Sequence, residues 1–236
     1  MDMLHKSGGI TGNTPQKPEP EPEPEPEPGP ETESKLLRDV QLGTKVKIPE
    51  LGIDLIVAAK NHSTHPSNSV CLITEKTQGN STFYDEGSPN NYLTSILFSR
   101  AREFQNRLPE NLVQKMMEVD IESPNKNRGA ASSRIKSAFV PAAGEILVNF
   151  YPEAGFRIRT FELFLQESKP KWGANIWSRS MKGDSSGIVY GINAELTEAI
   201  SYPPSNSLQV VYALVVSDDT KCKAKPNSDG SFDLIY

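Results

Sequence analysis

The chain has 236 residues, 25 basic and 30 acidic, with a net charge of −5, three histidines and two cysteines. That length suits one ordinary domain plus a tail, or two small domains. Two cysteines exclude a disulfide-dense scaffold and any cysteine-cluster metal site. The modest charge argues against a general nucleic-acid binder, and no window approaches the roughly 18 to 20 apolar residues of a membrane helix.

The N-terminus, Met1-Asp2-Met3-Leu4-His5-Lys6, lacks the charged-then-apolar run of a secretory signal. Residues 1–35 hold eight acidic and three basic side chains, so the whole excess lies there and residues 36–236 carry 22 of each sign. Within this tail, residues 1–16 form a short peptide with too little apolar character for a core. Residues 17–35 are a Pro/Glu-rich spacer, alternating from Pro18 to Pro28. Proline fixes φ and pushes its neighbours into extended geometry, predicting polyproline II at about 3.1 Å per residue, on the order of 40 Å from Pro18 to Pro30. Two readings stand: a disordered N-terminus without a role, or an anchor at residues 1–16 with a spacer holding a domain at 36–236 away from it.

After the tail, Val46 and Ile48 alternate with lysines, and Ile53, Leu55, Ile56 and Val57 form an apolar run. This predicts two strands joined by a tight turn at residues 49–52. Residues 70–74 predict another strand, with Cys71 inside it as an inert thiol. Leu93, Ile96, Leu97, Ala101, Phe104 and Leu108 recur at helical spacing, predicting a helix capped by Asn90 or Asn91 and closed by Pro109. A shorter helix through Leu112, Val113, Met116 and Met117 follows, then a strand through Val119 and Ile121. Residues 123–137 read as a loop with Lys126, Arg128, Arg134 and Lys136 and no acid nearby, either a solvated surface or a site for an anionic ligand. Apolar character returns at residues 138–150, and Phe156, Ile158, Phe161, Phe164 and Leu165 fit a strand running into a short helix. The last third reads as strands at 174–180, 187–192 and 208–216, the last being the strongest. A final hairpin pairs 221–225 with 231–236 through Asn227-Ser228-Asp229-Gly230. The fold class is α+β, mainly antiparallel short strands with one or two helices.

Few residues carry chemistry. There is no Gly-x-Ser-x-Gly elbow, phosphate loop or His-Glu-x-x-His. His62 and His65 lie close together, but a metal would need further ligands that the sequence does not point to, and no cofactor is expected. Asp184-Ser185-Ser186-Gly187 reads as a plain turn rather than a calcium loop. Trp172 and Trp177 bracket a short segment, and Arg179 lies two residues beyond Trp177, on the same strand face. They read either as a core tryptophan capped by an arginine or as a sugar-binding platform of Trp172, Trp177 and Arg179.

The order of several short motifs resembles an uncharacterised family of surface domains common in Firmicutes and their bacteriophages. The motifs are the opening Val40-Gln41-Leu42-Gly43-Thr44-Lys45-Val46, then Asn91-Tyr92-Leu93-Thr94-Ser95 at a helix start and Leu108-Pro109 at its end. Phe139-Val140-Pro141, Trp177-Ser178-Arg179-Ser180 and the late strand from Leu214 to Asp219 follow. The family is similar to the C-type-lectin-like fold. The resemblance implies a binding or display domain rather than an enzyme, in a bacteriophage virion structural protein: a fibre, collar or head-surface component. It implies virion partners through residues 1–35, host-surface glycan as a ligand, multivalent or homo-oligomeric display, and neither nucleic acid nor membrane as partner. The implied location is the virion, otherwise the bacterial cytoplasm where the chain is made. Alternatives are a bacterial enzyme or cell-surface protein of the same fold, or a purely structural cement or spacer protein.

Overall fold

The computed structural model describes residues 33–84, 92–124, 130–148, 150, 159–167, 169–181 and 188–236. Chain contacts divide the protein into residues 1–31 and residues 32–236. The predicted anchor and nearly all of the predicted spacer lie outside the described residues. The second unit begins earlier than expected, because strand β1 (Ser34–Leu36) already pairs with β13 (Lys221–Lys223). Ser34 and Lys35 are thus part of the fold and not of the spacer.

The main sheet grows from the apolar–lysine alternation. In β2 (Lys45–Ile48) Val46 and Ile48 are buried while the two lysines are only half-buried. A 3-10 turn, Pro49–Leu51, ends on Gly52 at φ 60° and returns the chain as β3 (Ile53–Lys60). β4 (Ser69–Thr74) is buried along its whole length. With β12 (Ala213–Ser217) and β14 (Phe232–Ile235) these make a seven-stranded sheet of order β1-β13-β14-β2-β3-β4-β12. Only the β14/β2 contact is parallel. The β13–β14 hairpin turns as expected, with Gly230 at φ 79° and Asp229 accepting from the Ser231 N–H at 3.0 Å.

A second sheet has the order β10-β9-β8-β11-β5. Its strands are β5 (Asn80–Ser81), β8 (Ile176–Met181), β9 (Val189–Ile192), β10 (Ala199–Tyr202) and β11 (Leu208–Gln209). The predicted single strand 208–216 is therefore split. β11 belongs to one sheet and β12 to the other, and the buried Val210, Val211 and Tyr212 cross between them. This crossing is held by Gln78 N–H to Val210 O at 2.7 Å and Thr74 N–H to Tyr212 O at 2.9 Å. An apolar run shows that a segment is buried, but not which sheet each part joins.

Three helices are present among the described residues. A 3-10 turn, Tyr92–Thr94, leads into α1 (Ile96–Gln105), whose cap is Ser95: its hydroxyl accepts from the Phe98 N–H at 3.0 Å. This replaces the expected asparagine cap; Asn90 and Asn91 lie outside the described residues. Pro109 sits at the cap of α2 (Glu110–Lys115), so it opens that helix after α1 has already ended. α3 (Ala143–Ile146) is a single buried turn. The expected strand-to-helix segment near 161–165 is a 3-10 turn, Glu162–Leu165, while Phe156 and Ile158 lie outside the described residues.

The largest correction concerns residues 123–137. They are not a single loop: β6 (Val119–Pro124) and β7 (Ala130–Ile135) form an antiparallel two-stranded ribbon. The small-residue run Ala130-Ala131-Ser132-Ser133 has no apolar alternation of its own. Its extended form is set by pairing with β6.

Candidate functional site

The motif residues of the sequence converge inside the protein. Trp177 is 0% exposed and donates its indole N–H to Ser81 O at 2.7 Å. Arg179 is 1% exposed, and its guanidinium forms a fork on Glu145 with distances of 2.7 and 2.5 Å. It also donates to Val140 O at 3.0 Å and Glu122 O at 3.2 Å, and lies 5.3 Å from the Phe139 ring. Val140 in turn donates its N–H to the Tyr92 hydroxyl at 2.8 Å, and Ala143 donates to the Ser180 hydroxyl at 3.0 Å. Burial alone would raise the Glu145 carboxyl, but the Arg179 charge and hydrogen bonds overcome it and hold that carboxyl below the ordinary carboxylate range.

This corrects the idea of a sugar platform at Trp177 and Arg179. Neither side chain reaches solvent, and each guanidinium nitrogen of Arg179 donates to Glu145 or a backbone carbonyl. Trp172 is half-buried at a different place, with its N–H on Thr74 O at 3.2 Å and its ring 6.0 Å from Phe164. Glu145 was missed in the sequence, although a lone carboxylate inside the apolar run 138–147 is a signal for a buried charge needing a partner.

The expected basic loop also changes. Lys126 and Arg128 lie outside the described residues. Arg134 is directly opposite Asp120 in the β6/β7 register and binds it through two contacts of 3.1 Å. That hydrogen-bonded pairing holds the Asp120 carboxyl low. Lys136 is exposed beyond the end of β7. The acid that linear sequence placed ten or more residues away is brought across the ribbon.

His62 and His65 stand 4.9 Å apart, both against the Phe161 ring. The His62 nitrogens are taken by Thr64 Oγ1 and Arg159 O, each at 2.9 Å. Burial pushes the His65 imidazole down to about 3, and its Nδ1 has no hydrogen-bond partner. Cys71 and Cys222 are both buried, and burial raises both thiols. No three His, Cys, Asp or Glu side chains form a metal-holding group among the described residues. The turn at 184–187 lies outside them.

What the tertiary structure assembles instead is a groove of about 590 Å³ beside the 3-10 turn Glu162–Leu165. Its floor is apolar: Leu42, Ile56 and Leu163. Lys45, Lys76, Lys169 and Lys171 surround it with Glu75 as the one acid, so positive charge exceeds negative by three. Lys45 and Glu75 bind each other at 2.5 Å, a hydrogen bond that raises the Lys45 ammonium above its ordinary value. Lys76, Lys169 and Lys171 make no ion pair among the described residues. Trp172 fixes the wall, because its bond to Thr74 O ties the lysine segment 169–171 to the end of β4, next to Glu75 and Lys76. These lysines stand at 45, 76, 169 and 171, and nothing in their spacing announces a common site.

A second groove, about 480 Å³, is lined by Glu162 and Leu165 of the same turn and by Val148; Val148 and Leu165 are the exposed large hydrophobic side chains among the described residues. Its lining residues Val148, Phe150 and Arg159 are chain neighbours of residues 149 and 151–158, which lie outside the described residues.

No family model, curated protein or solved structure matches the chain.

Proposed function

We propose that this chain is a bacteriophage virion protein, a fibre, collar or head-surface component, whose folded domain has a C-type-lectin-like architecture and attaches to an acidic ligand on a host or particle surface. The observation that carries the reading is the lysine groove: three excess positive charges gathered over an apolar floor in a domain whose overall charge is balanced. Like charges repel, so collecting them without compensating acids weakens the fold slightly and favours a ligand that neutralises them. The order of the family-like motifs supports the fold, since the residues from Tyr92, Val140 and Arg179 meet in one buried network. The Pro-Glu stretch suits a spacer, and several copies on one particle would convert weak single contacts into firm attachment.

Particles assembled with a chain lacking residues 1–32 test the virion part of the reading. The expected result is a folded protein that stays out of the particle. Normal incorporation of the shortened chain would remove the anchor, and with it this reading.

A further inference from the structure

We infer that the lysine groove recognises an acidic polysaccharide, reading its charge through Lys76, Lys169 and Lys171 and its sugar hydroxyls through Thr44 and Gln166. This deepens the attachment reading and rests on it. Lysine supplies a compact point charge rather than the planar fork of arginine, so the groove selects charge density and does not require the bidentate geometry of a single carboxylate. Glu75 does not repel such a ligand, because Lys45 already neutralises it at 2.5 Å.

The neutral groups narrow the class further. Thr44 and Gln166 line the groove, and neither side chain makes a hydrogen bond among the described residues. They are a hydroxyl and an amide, each able to donate and accept. Leu42, half-buried at the groove, gives apolar surface suited to the C–H face of a sugar ring, with the buried Leu163 beneath. A bare inorganic anion would use only the lysines. A nucleic-acid strand would call for aromatic stacking surfaces, and no aromatic ring lines this groove. Charges and hydroxyls alternating along one chain fit all three kinds of lining group together.

The test uses the full chain and four probes: dextran sulfate, polygalacturonate, unmodified dextran, and a synthetic peptide of residues 17–31. The first two distinguish sulfate from carboxylate as the source of charge. Binding of either acidic polymer, with unmodified dextran inert, supports the proposal. With three lysines engaged, log affinity falls against log salt with a slope of about −2 to −3. The variant Lys76→Gln/Lys169→Gln/Lys171→Gln is expected to lose binding at least tenfold with a melting temperature no lower than the parent's, whereas Arg134→Gln binds as the parent does. Trp172, next in the chain to Lys171, provides a direct readout: its fluorescence is expected to change on binding, while Trp177 is sealed inside.

Failure of both acidic polymers to bind would overturn the inference. So would unaltered binding by the triple lysine variant, or tighter binding of the Pro-Glu peptide than of either polymer. Polysaccharide binding by a protein that is absent from particles would retain the site and discard the virion reading. Incorporation into particles without polysaccharide binding would do the reverse.

Discussion

Arg179 and Glu145 form an ion pair in which both side chains are only 2% exposed. Two charges are costly to bury, and the pair is tolerable because every nitrogen and oxygen in it has a partner: Glu145 also accepts from the Ala142 N–H at 2.9 Å. Removing one partner strands the other, so Glu145→Ala is expected to destabilise the domain by about 3 to 5 kcal/mol in urea unfolding. A loss no larger than that of an ordinary surface change would mean the pair is not structural. His65 sets a pH dependence of opposite origin. Unfolded, it takes up a proton near its ordinary value of 6.5; folded, only near about 3. As pH falls below 6.5 the unfolded state therefore binds more protons, and stability drops by at most about 1.4 kcal/mol per pH unit. Glu145 adds a loss further down: its folded value is depressed, so its contribution is complete above its unfolded 4.5 and disappears as pH falls through the folded value. Melting temperatures between about pH 7 and pH 5 should decline for the parent and stay flat for His65→Phe.

Among the elements, two glycines separate backbone strain from steric exclusion. Gly230 ends the β13–β14 turn at φ 79° with nothing within 4 Å of an added Cβ. Gly230→Ala therefore incurs only the left-handed backbone penalty, about 1 to 2 kcal/mol. Gly191 in β9 has no unusual φ, but a Cβ there would lie 2.7 Å from a Leu208 methyl and 2.8 Å from the Tyr202 ring. Gly191→Ala is expected to disturb the packing of Tyr202 and Leu208 on that face of the second sheet. Shifted Tyr202 ring resonances in that variant, and unshifted ones in Gly230→Ala, would check the distinction. At this scale much was legible. The lysine alternation of β2, the apolar run of β3 and the Asp-Gly turn all describe local preference agreeing with final geometry. β7 was illegible because its strand character is borrowed from β6. The 208–216 run was half-legible, because burial is the same in either sheet.

For the whole molecule, the boundary between tail and domain has a measurable consequence. β1 pairs Lys35 with Cys222, and the Lys35 ammonium sits 3.2 Å from the centre of the Phe232 ring. A chain starting at residue 37 would remove this strand and leave the β13 edge unpaired. It is expected to melt at a lower temperature than one starting at residue 33, by thermal circular dichroism. Equal melting temperatures would show that β1 adds nothing to the fold. The candidate site also belongs to this scale. Its lysines come from β2, from the end of β4 and from a segment beyond residue 168, and their convergence depends on Trp172 meeting Thr74 across the chain.

Composition and periodicity by themselves determined that an acidic, proline-rich tail precedes a charge-balanced α+β domain, and they placed β2, β3, β4, α1 and the last hairpin. These depend on properties a residue shares with near neighbours: φ preference, alternation, helical spacing and turn chemistry. Only tertiary structure decided which polar residues are spent inside and which remain for a ligand. Trp177 and Arg179 look like a platform in linear order, yet Glu145 and the backbone consume their polar groups. Lys76, Lys169 and Lys171 look like solvated charges, yet folding gathers them over one apolar floor. Whether a charge is paired depends on distance in space, and sequence spacing records that distance only within a helix, a strand or a turn.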